Sequence, residues 1–104
     1  MSSFHSKYTD KFIEAVLNLN TKDDAYNFFE DICTIKEIQD MSKRLEAAKL
    51  LDKGLNYQEV IEKIGISSAT LSRVNKALNY GTGGYKKIIK KLEAWYEKKL
   101  FSKI

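Results

Sequence analysis

The chain has 104 residues, of which 43% are apolar and 31% charged, with no proline and a single cysteine. This composition fits one soluble helical domain. It excludes a disordered chain and an internally disulfide-bonded scaffold, and no apolar run approaches a membrane span. The net charge of +4 is unevenly placed: four lysines against eight acids in residues 1–40 give −4, and fourteen basic residues against six acids in residues 41–104 give +8. A basic second part is the electrostatic footprint of a phosphate binder.

The opening MSSFHSKYTD lacks the basic-then-apolar pattern of an export signal, and with Cys33 alone the expected compartment is the reducing cytoplasm. Residues 1–7, His5 among them, are expected as a tail. A first helix is predicted over Tyr8 to Leu19, with Phe12, Ile13, Val16 and Leu17 as its apolar stripe. Thr21 and Asp24 are a capping pair for a second helix, Lys22 to Cys33, which carries Ala25, Phe28, Phe29 and Ile32, with Cys33 expected in the core. Thr34 and Glu37 repeat the device for the longest helix, Ile35 to Lys53. Ile38, Met41, Leu45, Ala48 and either Leu50 or Leu51 face inward, and Gly54 is the stop.

The next stretch, NYQEVIEKIGISSATLSRVNKALNY, organises the chain. Asn56 and Glu59 open a short helix over Tyr57 to Ile64 as a reciprocal cap. Val60, Ile61 and Ile64 form its apolar side, Gly65 ends it, and Ile66 plugs the turn. A second helix starts at Ser67 or Ser68 and runs to Leu78, burying Leu71, Val74 and Leu78 while showing Ser68, Ala69, Thr70, Ser72, Arg73 and Lys76. This is the pattern of a helix-turn-helix over residues 57–78, whose second helix fits a DNA major groove. Small hydroxyl side chains at its start bond phosphates or base edges, and the methyl of Ala69 or Thr70 fits a thymine methyl. The plainer reading of Ser67 or Ser68 is a helix cap. Gln58, Lys63, Asn75 and Lys76 are candidate backbone contacts, and the absence of an arginine clearly aimed at guanine points to readout through water and DNA shape.

Tyr80 to Gly84 is the flexible link. Its glycines lack the lysine-Ser/Thr ending and the preceding strand of a phosphate loop, so it reads as a hinge. A final helix over Tyr85 to Leu100 alternates an apolar set, including Ile88, Ile89, Leu92, Trp95 and Tyr96, with six lysines. Its aromatic stripe reads as core or dimer seam in preference to a membrane surface. The first two helices are too short to cover their own large side chains. Phe12, Phe28, Phe29 and Trp95 therefore point to a second copy, and a homodimer also suits a helix-turn-helix reading paired half-sites.

The segments CTIKEIQDMSKRLEAAKLLDKG and YQEVIEKIGISSATLSRVNKAL, with the final helix, resemble the Trp repressor superfamily, and more closely its YerC/YecD-type branch. The spacing from Thr34 through Arg44, Gly54 and Gly65 to Arg73 fits without a gap. The resemblance implies an all-α, six-helix chain forming an intertwined homodimer that binds double-stranded DNA, with the helix near Ser68 in the major groove. It also implies an effector pocket lined by Thr34, Arg44 and Arg73. The position after Arg73, glycine in the repressor, is Val74, and a pocket serine is replaced by Ala77. L-Tryptophan is therefore not expected as the effector; a different small molecule, or none, is. The residues themselves leave another reading of the arginines open, as ion pairs with Asp40, Glu46 or Asp52.

Three functions compete on this reading. The leading one is a dimeric, sequence-specific transcriptional regulator, a repressor by operator occupancy. The alternative is a protein-interaction or adaptor module that keeps the helix-turn-helix as a packing unit. An enzyme is disfavoured, because one tail histidine and one core cysteine supply no nucleophile–base pair, and no metal site or cofactor is expected.

Overall fold

A computed structural model describes residues 5–102, which form six α-helices and, among those residues, no strand. They are α1 (Lys7–Leu17), α2 (Lys22–Ile32), α3 (Ile35–Asp52), α4 (Tyr57–Ile64), α5 (Ser68–Tyr80) and α6 (Gly84–Ser102). The all-α expectation holds, and the differences lie at helix ends. Residues 1–4 lie outside the described residues, whereas Ser6, expected in a tail, caps α1: its side chain accepts the Thr9 N–H at 3.1 Å. α1 stops at Leu17, two residues early, because Asn18 turns its amide back onto the Glu14 carbonyl at 2.8 Å. α5 runs two residues beyond Leu78, where Asn79 bonds the Asn75 carbonyl at 3.0 Å and keeps the last turn closed.

The caps follow the sequence closely. Thr21 Oγ1 accepts the Asp24 N–H at 3.0 Å. Thr34 and Glu37 are fully reciprocal: the Glu37 N–H donates to Thr34 Oγ1 at 3.1 Å and the Thr34 N–H to the Glu37 carboxylate at 2.8 Å. Gly54, at φ +101°, ends α3, and Leu55 donates back to the Leu50 carbonyl at 3.1 Å. Such a positive φ is open to glycine at little cost.

The chain divides into two compact units, with the boundary inside α3 after Ile38. The first unit contains α1, α2 and the start of α3. None of its described residues is fully buried. Phe12 stacks on Phe28 with ring centroids 6.1 Å apart, and Phe28 meets Phe29 edge-on at 5.4 Å, yet Tyr8 and Leu17 are 79% and 77% exposed. Cys33, expected in the core, is half-buried.

The second unit holds the core, made of Ala47, Ala48, Val60, Ile66, Leu71, Val74, Leu78 and Ile89. Val60, Leu71, Leu78, Ile89 and the turn plug Ile66 sit where the apolar spacing puts them. Ala47 is an addition: it is fully buried beside Ala48, giving α3 a flat surface with no large side chain at that point. Met41, expected inward, is exposed, and Leu50 and Leu51 are both half-buried against the core. α5 packs on both α4 and α6. The last residue of α3 is tied to α6 by Lys86 Nζ donating to Asp52 Oδ1 at 2.8 Å.

Candidate nucleic-acid interface

The α4–α5 pair is held by local bonds that leave one polar face outward. Asn56 Oδ1 accepts the Glu59 N–H at 2.9 Å, and the Asn56 N–H donates to the Glu59 carboxylate at 3.0 Å. Two of the four orphan N–H donors at the start of α4 are thereby satisfied without water. Gly65 then takes the left-handed conformation, φ +73° and ψ +52°, and its N–H closes on Ile61 at 2.9 Å. Ile66 follows, and Ser67, with an extended backbone at φ −70° and ψ 152°, stands just ahead of the first residue of α5, Ser68.

Ser67 is the cap: its Oγ accepts the Thr70 N–H at 3.1 Å and its hydroxyl donates to Thr70 Oγ1 at 2.9 Å. Thr70 is half-buried, and its oxygen is engaged by Ser67, so its own hydroxyl proton is left to point elsewhere. Ser68, Ala69, Ser72, Arg73 and Lys76 are all exposed, while Leu71, Val74 and Leu78 on the other side of α5 are buried. Gln58 is exposed at the start of α4, with its amide donating to Glu62 at 2.9 Å. Among the described residues no buried side chain is polar, and in the head Thr70 and Asn75 are half-buried. Of the residues singled out for DNA, Ser67, Ser68, Ala69, Ser72, Arg73 and Lys76 are exposed at the start of α5 and along it, Gln58 is exposed on α4, and Thr70 is half-buried.

The proposed effector residues are distributed differently. Thr34 lies in the first unit, where its hydroxyl already accepts the Glu37 N–H. That pair sets the chemistry of Glu37: hydrogen bonds from the Thr34 backbone and then its side chain hold the Glu37 carboxyl below its ordinary value of 4.5. Arg44, Arg73, Val74 and Ala77 belong to the second unit. Arg44 is half-buried and Arg73 exposed. Val74 is 2% exposed, packed into the core. Ala77 lines an open cleft of about 370 Å³ with Leu45, Tyr85, Ile88 and the link residues Gly81, Thr82 and Gly84. Two of the acids named as alternative arginine partners are taken by lysines: Glu46 pairs with Lys49 at 3.3 Å and Asp52 with Lys86 at 2.8 Å. Sequence spacing missed the second of these because its partners stand 34 positions apart.

The sequence profile of the Trp repressor protein family matches residues 7–93. The chain belongs to the Trp repressor family. The uncharacterized protein YerC of Bacillus subtilis strain 168 is 39% identical over 85 residues, 82% of each chain. A TrpR-like protein from Eubacterium eligens superposes with a TM-score of 0.82 at 44% identity, covering 85% of this chain and 91% of that one. A Trp repressor-class structure from Staphylococcus aureus gives 0.82 at 35% identity, covering 86% and 89%. These similarities establish the all-helical Trp repressor-like fold. The Trp repressor family is one of DNA-binding regulators and not one of enzymes. Among the described residues no helix is long and apolar enough to cross a membrane, and no cluster of three or more His, Cys, Asp or Glu is placed to hold a metal.

Proposed function

We propose that this chain is a sequence-specific DNA-binding transcriptional regulator, a repressor by operator occupancy, working in the cytoplasm as a homodimer. The observation that carries the reading is the α5 start: Ser68, Ala69 and Ser72 stand exposed around the capped Thr70, with Arg73 and Lys76 following on the same helix. Contacts of Gln58, Ser67 and Lys76 to phosphates set the register, and Ala69, Thr70, Ser72 and Arg73 meet base edges directly or through water. As one DNA-binding domain, each chain supplies one reading head, and two heads dock on successive major grooves about one helical turn apart.

Dimer formation is supported by the first unit. Among its described residues none is buried, which leaves apolar surface worth roughly 25 cal/mol per Å² if covered. A second copy covers it without any new component. For the effector, Thr34 of the first unit and Arg44, Arg73, Val74 and Ala77 of the second remain the candidate residues. The buried Val74 and the loss of a hydroxyl at Ala77 favour a ligand other than L-tryptophan, or none.

Selecting fragments bound from the source genome, with and without candidate small molecules, tests the proposal. A recurrent motif with paired half-sites is the expected result. If no fragment outcompetes random duplex at physiological salt, the adaptor reading takes its place.

A further inference from the structure

The reading head is poor in the charge that DNA binding consumes. α4 and α5 together hold only Lys63, Arg73 and Lys76 against Glu59 and Glu62. α6 holds six lysines, Lys86, Lys87, Lys90, Lys91, Lys98 and Lys99, against two glutamates. Lys86 is engaged by Asp52, and Lys99 lies 4.2 Å from the Trp95 ring centroid. Lys87, Lys91 and Lys98 are exposed.

Helical geometry sorts these side chains. α6 buries Ile89 and half-buries Tyr85 and Leu92. At about 100° per residue, Lys87, Lys91 and Lys98 line the opposite side with Ala94 between them, while Glu93 and Glu97 fall on a different flank. The result is a ridge of three lysines free of interleaved acids, spaced about 6 Å and about 10 Å along the axis. Opposite charges at i, i+4 stabilise an exposed helix face and like charges there destabilise it; this ridge has no opposite-charge pair and sets Lys87 against Lys91 at that spacing.

We infer that the Lys87–Lys91–Lys98 ridge of α6 is a second, sequence-independent contact surface for the phosphate backbone of nucleic acid, separate from the α4–α5 head. The inference rests on the DNA-binding reading above, and charge complementarity selects the occupant. The ridge supplies affinity through counterion release, and the head supplies sequence preference.

The test compares wild type with Lys87→Gln/Lys91→Gln/Lys98→Gln and with the corresponding triple arginine variant, titrating each with a random-sequence duplex and a genome-selected duplex at several salt concentrations. Each lysine that contacts phosphate contributes about 0.9 to the slope of log affinity on log salt. The glutamine variant should therefore lose about 2.7 units of slope per chain in contact, and the arginine variant none. The preference for selected over random duplex should stay unchanged. An unaltered slope in the glutamine variant with intact helix content overturns the ridge while leaving the head's role standing. Failure of the wild type to bind either duplex overturns both. Loss of flotation with phosphatidylglycerol vesicles in the glutamine variant, with DNA slope retained, would assign the ridge to a lipid surface and overturn the proposal.

Discussion

Lys86 Nζ lies 2.8 Å from Asp52 Oδ1, so the last residue of α3 and the first turn of α6 are joined across a gap of 34 positions. The Asp52 side chain is 26% exposed and that of Lys86 54%, which leaves the pair well solvated. Its contribution should be small, roughly 0.2–1 kcal/mol, and weakened by salt. Lys86→Ala should lower the unfolding free energy by that amount in low salt. Denaturation in high salt should bring variant and wild type together.

Leu71 is fully buried among the residues of the second unit's core. Leu71→Ala removes that contact and leaves a cavity, for a loss of about 2–5 kcal/mol. Chemical denaturation should show the midpoint falling with little change in slope. A loss below about 1 kcal/mol would contradict the central placement of this side chain.

Gly81 ends α5 with its N–H on the Ala77 carbonyl at 3.0 Å, and a Cβ there would overlap the same carbonyl oxygen. The obstacle is backbone and does not rotate away. Gly81→Ala should cost about 1–3 kcal/mol, whereas Gly84→Ala, whose added methyl meets nothing closer than a contact at 4.0 Å to Thr82 Oγ1, should be tolerated. Thermal unfolding of the two variants side by side checks the contrast.

Glu37 gives a pH prediction whose sign is fixed by its bonds to Thr34, which lower its carboxyl in the folded chain from 4.5. The stabilisation from this cap is therefore fully present above the unfolded value and is lost as pH falls through the lower folded value. Glu37→Gln should remove this pH dependence while leaving the rest of the acid transition in place. Carbon-13 titration of the Glu37 carboxyl gives the direct reading, and a midpoint at or above 4.5 would show the cap to be absent in solution.

Much of the head was legible because its signals are local. Asn56 with Glu59, Gly65 after Ile64, and Leu71, Val74 and Leu78 at helical spacing each fix structure through neighbours within a turn or two. What escaped depends on pairs distant in sequence or on size. Ala47 gives spacing arguments no signal, because they weight large side chains while a flat packing surface selects small ones. Met41 has an inward period yet is exposed, and periodicity alone does not say which partner covers a stripe. The end of α1 follows from the Asn18 amide folding back onto the Glu14 carbonyl, and α5 runs on through Asn79, whose amide bonds the Asn75 carbonyl, to its cap at Gly81. No apolar pattern records that.

The most direct test of the central claim is a competition titration of the genome-selected duplex against a scrambled duplex of equal length at physiological salt. It would use the wild type and the Thr70→Ala/Ser72→Ala double variant. The account predicts that the wild type prefers the selected duplex by at least about 10³-fold, the low end for specific binders. It further predicts that the double variant loses much of that ratio while keeping its helix content and assembly state. Equal binding of both duplexes by the wild type would contradict a sequence-specific reading head.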